Sequence, residues 1–188
     1  MSQLSGTAKK FATEAHASID QRRRYTNEPY IVHPAEVVAI LTNFSDKPPT
    51  DTMIAAAWLH DVVEDTPVSL AQIREQFGPR IAELVDQLTE VSKPEDGCRA
   101  VRKAMDRAHT ALASPEAKSI KLADVISNTA RIADQDPKFA AVYMREKREL
   151  LKVLKHGDAG LFRLATYIID KYFATHAEVE EQMQLALA

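Results

Sequence analysis

The sequence predicts an all-α protein folded as a single domain. Three observations predict it. Glycine occurs only five times in 188 residues, while alanine, the strongest helix former, is abundant. Prolines stand just inside helix starts, where no backbone N–H is needed, as in Ser114–Pro115 and Asp136–Pro137. Leu161, Leu164, Ala165, Ile168, Ile169 and Tyr172 recur at the three-and-four spacing of one buried helix face.

The elements follow in chain order. Helix one spans about 5–24. A loop at about 25–32 carries Thr26, Asn27 and Pro29, residue types that favour turns. Helix two spans about 34–44, opening on Pro34, and ends near the turn SDKPPTD. Helix three begins near Asp51 and runs to about 64, where Thr66–Pro67 breaks it. Ser69 caps a short helix to Phe77, and Gly78–Pro79 stops that one and opens another to about Leu88. The stretch 89–98 is a loop. Helices at about 98–113, 115–134, 137–156 and 158–186 complete the chain, with Ser114 and Asp136 as caps. No repeat, low-complexity segment or linker divides it, so one domain covers 1–188.

The bulk properties narrow the function classes. A formal net charge of −3 sets up no overall field toward nucleic acid or an acidic membrane. The single cysteine, Cys98, cannot form an internal disulfide, which fits a reducing compartment. Lys9 and Lys10 are followed by no apolar block, so no signal peptide is read. No apolar run approaches the roughly 20 residues that span a bilayer. The expectation is a cytoplasmic protein without nucleic-acid or membrane partners.

The chemistry gathers in three stretches: His33 in PYIVHP, His60 and Asp61 in AAAWLHDVVEDT, and Asp124 in IKLADVISN. A His-Asp pair alone carries little weight. Its setting carries more, because an imidazole and a carboxylate at the end of an apolar helix are costly to bury unless paired or bound to metal. Asp124 likewise stands among Ile120, Leu122 and Ala123. Two imidazoles and two carboxylates can chelate one divalent ion, and such a donor set with open positions suits Mn²⁺, with Fe²⁺ or Zn²⁺ ranked behind it. Glu64 and Asp65 follow at helical spacing from His60 and Asp61. Two acids beside a metal-bound water make a general base and an orienting group, and the combination points to hydrolysis.

YTNEPYIVHP, AAWLHDVVEDT and KLADVISN resemble the HD-domain hydrolase module of the RelA/SpoT alarmone enzymes, whose freestanding forms are the small alarmone hydrolases. The resemblance runs over about residues 8–165, and EDT directly after HDVV is its most specific mark. It implies an HD-type helical bundle and a Mn²⁺-dependent pyrophosphohydrolase. That enzyme removes the 3′-diphosphate of guanosine tetra- or pentaphosphate, leaving GDP or GTP and pyrophosphate. By the same carry-over His33, His60, Asp61 and Asp124 are metal ligands, and Glu64 and Asp65 handle the attacking water. Arg24 is the arginine that stacks on the base, with Tyr25 beside it, and Asn128 is the asparagine four residues after the last ligand. Lys121, Asp124, Asn128 and Arg131 would form one helical stripe facing the nucleotide.

The chain departs from the pattern at Val125 and Ser127, where the long enzymes have arginine and histidine, and at Tyr25, where lysine is common. These positions bear on base and ribose recognition, so adenosine alarmones stay open as substrates. A nucleoside 5′-monophosphatase of the HD type and a nucleotide sensor without turnover also stay open, as does oligomeric state, a homodimer included. Arg99, Arg102, Lys103 and Arg107 form either a phosphate grip or a solvated face, and Tyr143 and Lys147 share a face that could close over the site. His16, His109, His156 and His176 read as structural or exposed.

Overall fold

The computed structural model describes residues 2–176. It is helical throughout, and among the described residues extended pairing is confined to one isolated bridge, Arg22 with Pro29. The helices are α1 (Gln3–Ala17), α2 (Val32–Phe44), α3 (Asp51–Leu59), α4 (Val62–Asp65), α5 (Leu70–Phe77), α6 (Pro79–Leu88), α7 (Arg99–Ala111), α8 (Pro115–Thr129), α9 (Ile132–Gln135), α10 (Pro137–Leu151) and α11 (Ala159–Thr175). The caps act where the sequence puts them. Ser69, Ser114 and Asp136 each accept from a backbone N–H of the first turn, and Ser69 completes a capping box with Gln72. Gly78 takes φ +85°, a conformation that closes α5 at little cost only for glycine.

α8 lies at the centre, packed against α2, α3, α6 and α11. It is buried nearly all round, from Ala117 through Thr129, as a central helix must be. Ile120, Leu122, Val125 and Ile126 meet Val37 and Leu41 of α2, Leu84 of α6, Met144 of α10, and Leu161 and Ile169 of α11 in one apolar cluster. A second cluster joins α1, α3, α5 and α6 through Ala8, Ala12, Trp58, Leu59, Ile73 and Ile81. Each large aliphatic side chain so buried contributes about 1.5–3 kcal/mol relative to exposure.

The structure ends several helices earlier than the sequence predicts. α1 stops at Ala17, not 24, because the chain enters a left-handed turn at Asp20 (φ +48°) and later at Asn27 (φ +57°). Aspartate and asparagine tolerate that region better than other side chains. Arg22, Arg23 and Arg24 therefore lie in the loop and not on a helix end. α2 begins at Val32, so His33 falls inside its first turn, not before it. The predicted helix 51–64 is broken at His60–Asp61, and the predicted helix 115–134 is broken at Ala130–Arg131. α10 ends at Leu151 rather than 156. The predicted continuation of α11 to 186 lies outside the described residues.

Asp158 ties the far end of the bundle together. Its carboxylate accepts from Gly160 and Leu161 at the start of α11 and from the backbone of Asp46 and Lys47 after α2. The approach is close enough that a Cβ on Gly160 would stand 2.6 Å from the Phe44 carbonyl oxygen. Gly160→Ala should destabilise the fold by about 1–3 kcal/mol, as overpacking does. Urea unfolding checks this, and an unchanged midpoint would refute the close approach.

Candidate metal centre

The break after α3 creates the centre. Two neighbours on a continuous helix point about 100° apart. Here His60 keeps helical angles while Asp61 moves to φ −100°, ψ −4°, and both side chains reach one space. The Nε2 of His60 stands 3.0 Å from Asp61 Oδ2 and 3.9 Å from Asp124 Oδ1. The Nε2 of His33 stands 3.5 and 3.2 Å from the same two oxygens. Among the described residues, His33, His60 and Asp61 offer ligand atoms all within 4.8 Å of one another, and they can hold a metal ion. Asp124 joins through its contacts with both imidazoles.

The donors fit a cation on structural grounds. His33 and His60 are each 1% exposed and Asp124 4%. His60 Nδ1 bonds the Ala57 carbonyl at 2.9 Å, so Nδ1 carries the proton. Its Nε2 is buried and satisfied by no hydrogen bond, with the Asp61 oxygen 3.0 Å away. An unsatisfied ring nitrogen facing two carboxylates is the arrangement of a metal-binding histidine with its other nitrogen oriented by a partner.

The neighbours hold the acids in place. Asp124 is clamped on one oxygen by the Asn128 amide at 2.6 Å and on the other by Lys121 at 3.0 Å. The Tyr30 hydroxyl donates to Asp61 Oδ2 at 2.6 Å. Asp65 accepts from the Gln21 amide at 2.9 Å, and Gln21 in turn accepts from buried His16 at 2.7 Å. Burial raises the Asp61 carboxyl, but the imidazoles of His60 and His33 more than reverse this and hold it low. Asp124 is likewise held low, chiefly by Lys121 against the cost of burial. Burial pulls His60 down, and Asp61 and Asp124 together push it up to about 9. Glu64 sits at the rim, open to solvent on its outer side. Crowding by protein and the nearby Glu90 push it up to about 7, although the Glu90 backbone N–H donates to it at 3.1 Å.

A cleft of about 250 Å³ opens beside the acids, lined by Arg24, Tyr25, Tyr30, Asn128, Phe139 and Tyr143 among others. Arg24 lies over the Tyr25 ring at 5.2 Å and pairs with Asp136 at 3.6 Å. The Tyr25 hydroxyl donates to the same carboxylate at 3.0 Å. Arg131 does not join the predicted stripe. The stripe ends at Asn128 because α8 breaks after Thr129, and the Arg131 guanidinium turns to Glu36 at 2.6 Å. Lys121 turns onto Asp124. Arg99 and Lys103 are neutralised by Glu146 and Glu90. Tyr30, Gln21, His16 and Glu36 also touch this network. Of these, only Tyr30 had a signal in the sequence, its place in the PYIVHP stretch beside His33.

A family model described as the HD domain matches residues 8–155. The chain belongs to the HD domain family. This HD-domain protein is 34% identical over 168 residues to a probable guanosine-3′,5′-bis(diphosphate) 3′-pyrophosphohydrolase of Synechocystis, covering 87% of this chain and 21% of that one. A guanosine-3′,5′-bis(diphosphate) 3′-pyrophosphohydrolase of Aquifex aeolicus is 41% identical over 86 residues, which is 46% of this chain and 12% of that one. The HD-domain chain thus spans 21% or less of the length of these curated relatives. Its fold matches a solved metazoan ortholog of SpoT that hydrolyzes ppGpp, with TM-score 0.80 and 26% identity over 92% of this chain and 97% of that chain. A Listeria monocytogenes structure shares the fold at TM-score 0.61 and 23% identity, over 80% of this chain and 99% of that one.

The raised groups fix how stability depends on pH. His60 moves from an ordinary 6.5 to about 9 on folding, so the folded protein binds an extra proton between those values. The stabilisation this gives is complete below pH 6.5 and is lost as pH rises through 9. Glu64, moved from 4.5 to about 7, acts in the same direction over a lower window. Chelator-treated protein should therefore melt at progressively lower temperature from pH 6.5 to 9, read by circular dichroism. A flat or rising profile would contradict the charge arrangement at the centre.

Proposed function

We propose that this chain is a metal-dependent pyrophosphohydrolase of nucleotide alarmones, cleaving the 3′-diphosphate of guanosine tetra- or pentaphosphate to GDP or GTP and pyrophosphate. The observation that carries the reading is the buried, unsatisfied Nε2 of His60, facing Asp61 and Asp124 beside a cleft lined by Arg24 and Tyr25. The activities named for the Synechocystis, Aquifex and metazoan relatives support the same reaction. His33, His60, Asp61 and Asp124 would hold the ion, with Mn²⁺ the best match to two nitrogens, two oxygens and open positions. A bound divalent ion supplies water activation and polarises a phosphoryl oxygen.

The protein's own groups do the rest. Glu64, pushed up to about 7, takes the proton of the attacking water near neutral pH. Asp65, fixed by Gln21, orients that water. Asn128 and Lys121 hold Asp124 in a single pose. Arg24 offers a planar cation for the purine face, since a guanidinium stacks on aromatic rings. The reading includes one folded unit over 1–188 acting in the cytoplasm on a small-molecule substrate. No helix among the described residues is long and apolar enough to cross a membrane.

A second reading has an adenosine 3′-diphosphate as substrate. Tyr25, where the alarmone hydrolases commonly have lysine, is held by Asp136 at the mouth of the cleft, which removes a cation from base or ribose recognition. Incubation with ppGpp, pppGpp, pApp and deoxynucleoside monophosphates in Mn²⁺, followed by chromatography of the products, separates the readings. Release of phosphate from monophosphates alone would defeat both, and tight ppGpp binding without turnover would make the protein a sensor. Asp61→Ala should abolish metal binding and turnover together. Glu64→Gln should leave metal bound and lower kcat by about 10²–10⁴-fold, the usual cost of losing acid–base help; full activity in that variant would remove Glu64 from the mechanism.

A further inference from the structure

The two imidazoles of the centre are oriented by different devices. His60 is fixed by a backbone carbonyl, that of Ala57 at 2.9 Å. His33 Nδ1 instead meets the Ser127 hydroxyl at 3.1 Å. A serine hydroxyl has one proton to give. Ser127 directs it to Glu36 Oε2 at 2.9 Å, because a carboxylate can only accept. Glu36 is kept in that role by Arg131 on Oε1 at 2.6 Å and by Arg23 near Oε2 at 3.7 Å. The Ser127 oxygen then presents only lone pairs to His33, and the hydrogen of the ring must sit on Nδ1. His33 Nε2 is left free toward Asp61 and Asp124.

We infer that Ser127 and Glu36 are positioning residues that lock His33 in the ring tautomer able to bind a cation through Nε2. The inference rests on the proposed metal centre. It also gives Ser127 and Arg131 a use on this chain unlike the nucleotide contact expected of Arg131. The direction of the relay is what matters. If Glu36 is lost, Ser127 becomes free to donate to His33 Nδ1. That reversal would put the ring hydrogen on Nε2, where it blocks the ligand position. The relay joins three segments, since Glu36 comes from α2, Ser127 from α8 and Arg131 from the break after α8. Ser127 is 6% exposed, so bulk solvent does not readily replace its hydroxyl as the acceptor for His33.

Mn²⁺ titration of the full chain, with free ion read by electron paramagnetic resonance, tests the relay without any assay of turnover. Ser127→Ala and Glu36→Ala should each weaken Mn²⁺ binding by about 10–100-fold, the usual cost of losing a partner that orients a ligand. The double variant should bind no more weakly than the worse single variant, because both changes cut one chain. Glu36→Gln, whose amide oxygen can still accept from Ser127, should bind close to wild type. Unchanged affinity in Ser127→Ala, or losses that multiply in the double variant, would overturn the inference while leaving the metal centre intact. If wild type binds no Mn²⁺, the metal centre fails and the relay fails with it. Should Ser127→Ala not fold, judged by melting in chelator, Glu36→Ala at the more open end of the relay decides the question by the same criteria.

Discussion

Two carboxylates and two imidazoles occupy one buried space, and most of the architecture around them answers the cost of putting them there. An isolated charge in such a place is prohibitive, and even a pair needs its remaining lone pairs satisfied. The protein meets this demand with a surrounding ring of partners. Tyr30 satisfies Asp61, Asn128 and Lys121 satisfy Asp124, Ala57 orients His60, and Ser127 orients His33. These come from the loop before α2, from α3 and from α8, which is why α8 has to run through the middle of the molecule rather than along its surface. A central helix is ordinarily apolar all round. α8 instead gives up Asp124, Ser127 and Asn128 to the site and recovers the lost packing from Ile120, Leu122, Val125 and Ile126.

The broken helix at His60–Asp61 performs the same task at the level of backbone geometry. A continuous helix would send one of the two side chains away from the space. The local change in φ and ψ at Asp61 reconciles adjacency in sequence with convergence in space, and it starts the short helix that carries Glu64 and Asp65. Two of the candidate metal ligands, His60 and Asp61, and the two proposed hydrolytic acids, Glu64 and Asp65, thus come from one stretch, 60–65, with its path set by one residue in the sparsely used bridge region of backbone space.

Much of this is legible in the sequence, and the limits have physical causes. Caps at Ser69, Ser114 and Asp136 are readable because a side-chain acceptor three residues before an N–H is a local matter. The apolar stripe of α11 is readable because periodicity survives without knowledge of neighbours. The ends of α1 and α8 are not, since nothing in the local chemistry of Asp20 or Ala130 forbids a helix; the surrounding packing decides. The centre itself is legible through His33, His60, Asp61 and Asp124, whose chemistry makes them conspicuous among apolar neighbours. Gln21, Glu36 and Ser127 are ordinary polar residues whose contacts with the site cross 44, 91 and 94 positions of chain. No spacing rule reaches that far. Arg131 falls outside the stripe for the related reason that a stripe drawn on an ideal helix continues past the point where the real helix breaks.

The cleft and the donor set are built from materials of different stiffness. The donors stand on α2, on the α3–α4 junction and on α8, locked into the apolar clusters. Arg24 and Tyr25 hang on a surface loop whose frame is the Arg22–Pro29 bridge and two left-handed residues. Substitutions in that loop can reshape what the cleft admits while the buried donors keep their positions. Under the proposed function, a lineage bearing this architecture could exchange one nucleobase for another without rebuilding the buried donor set.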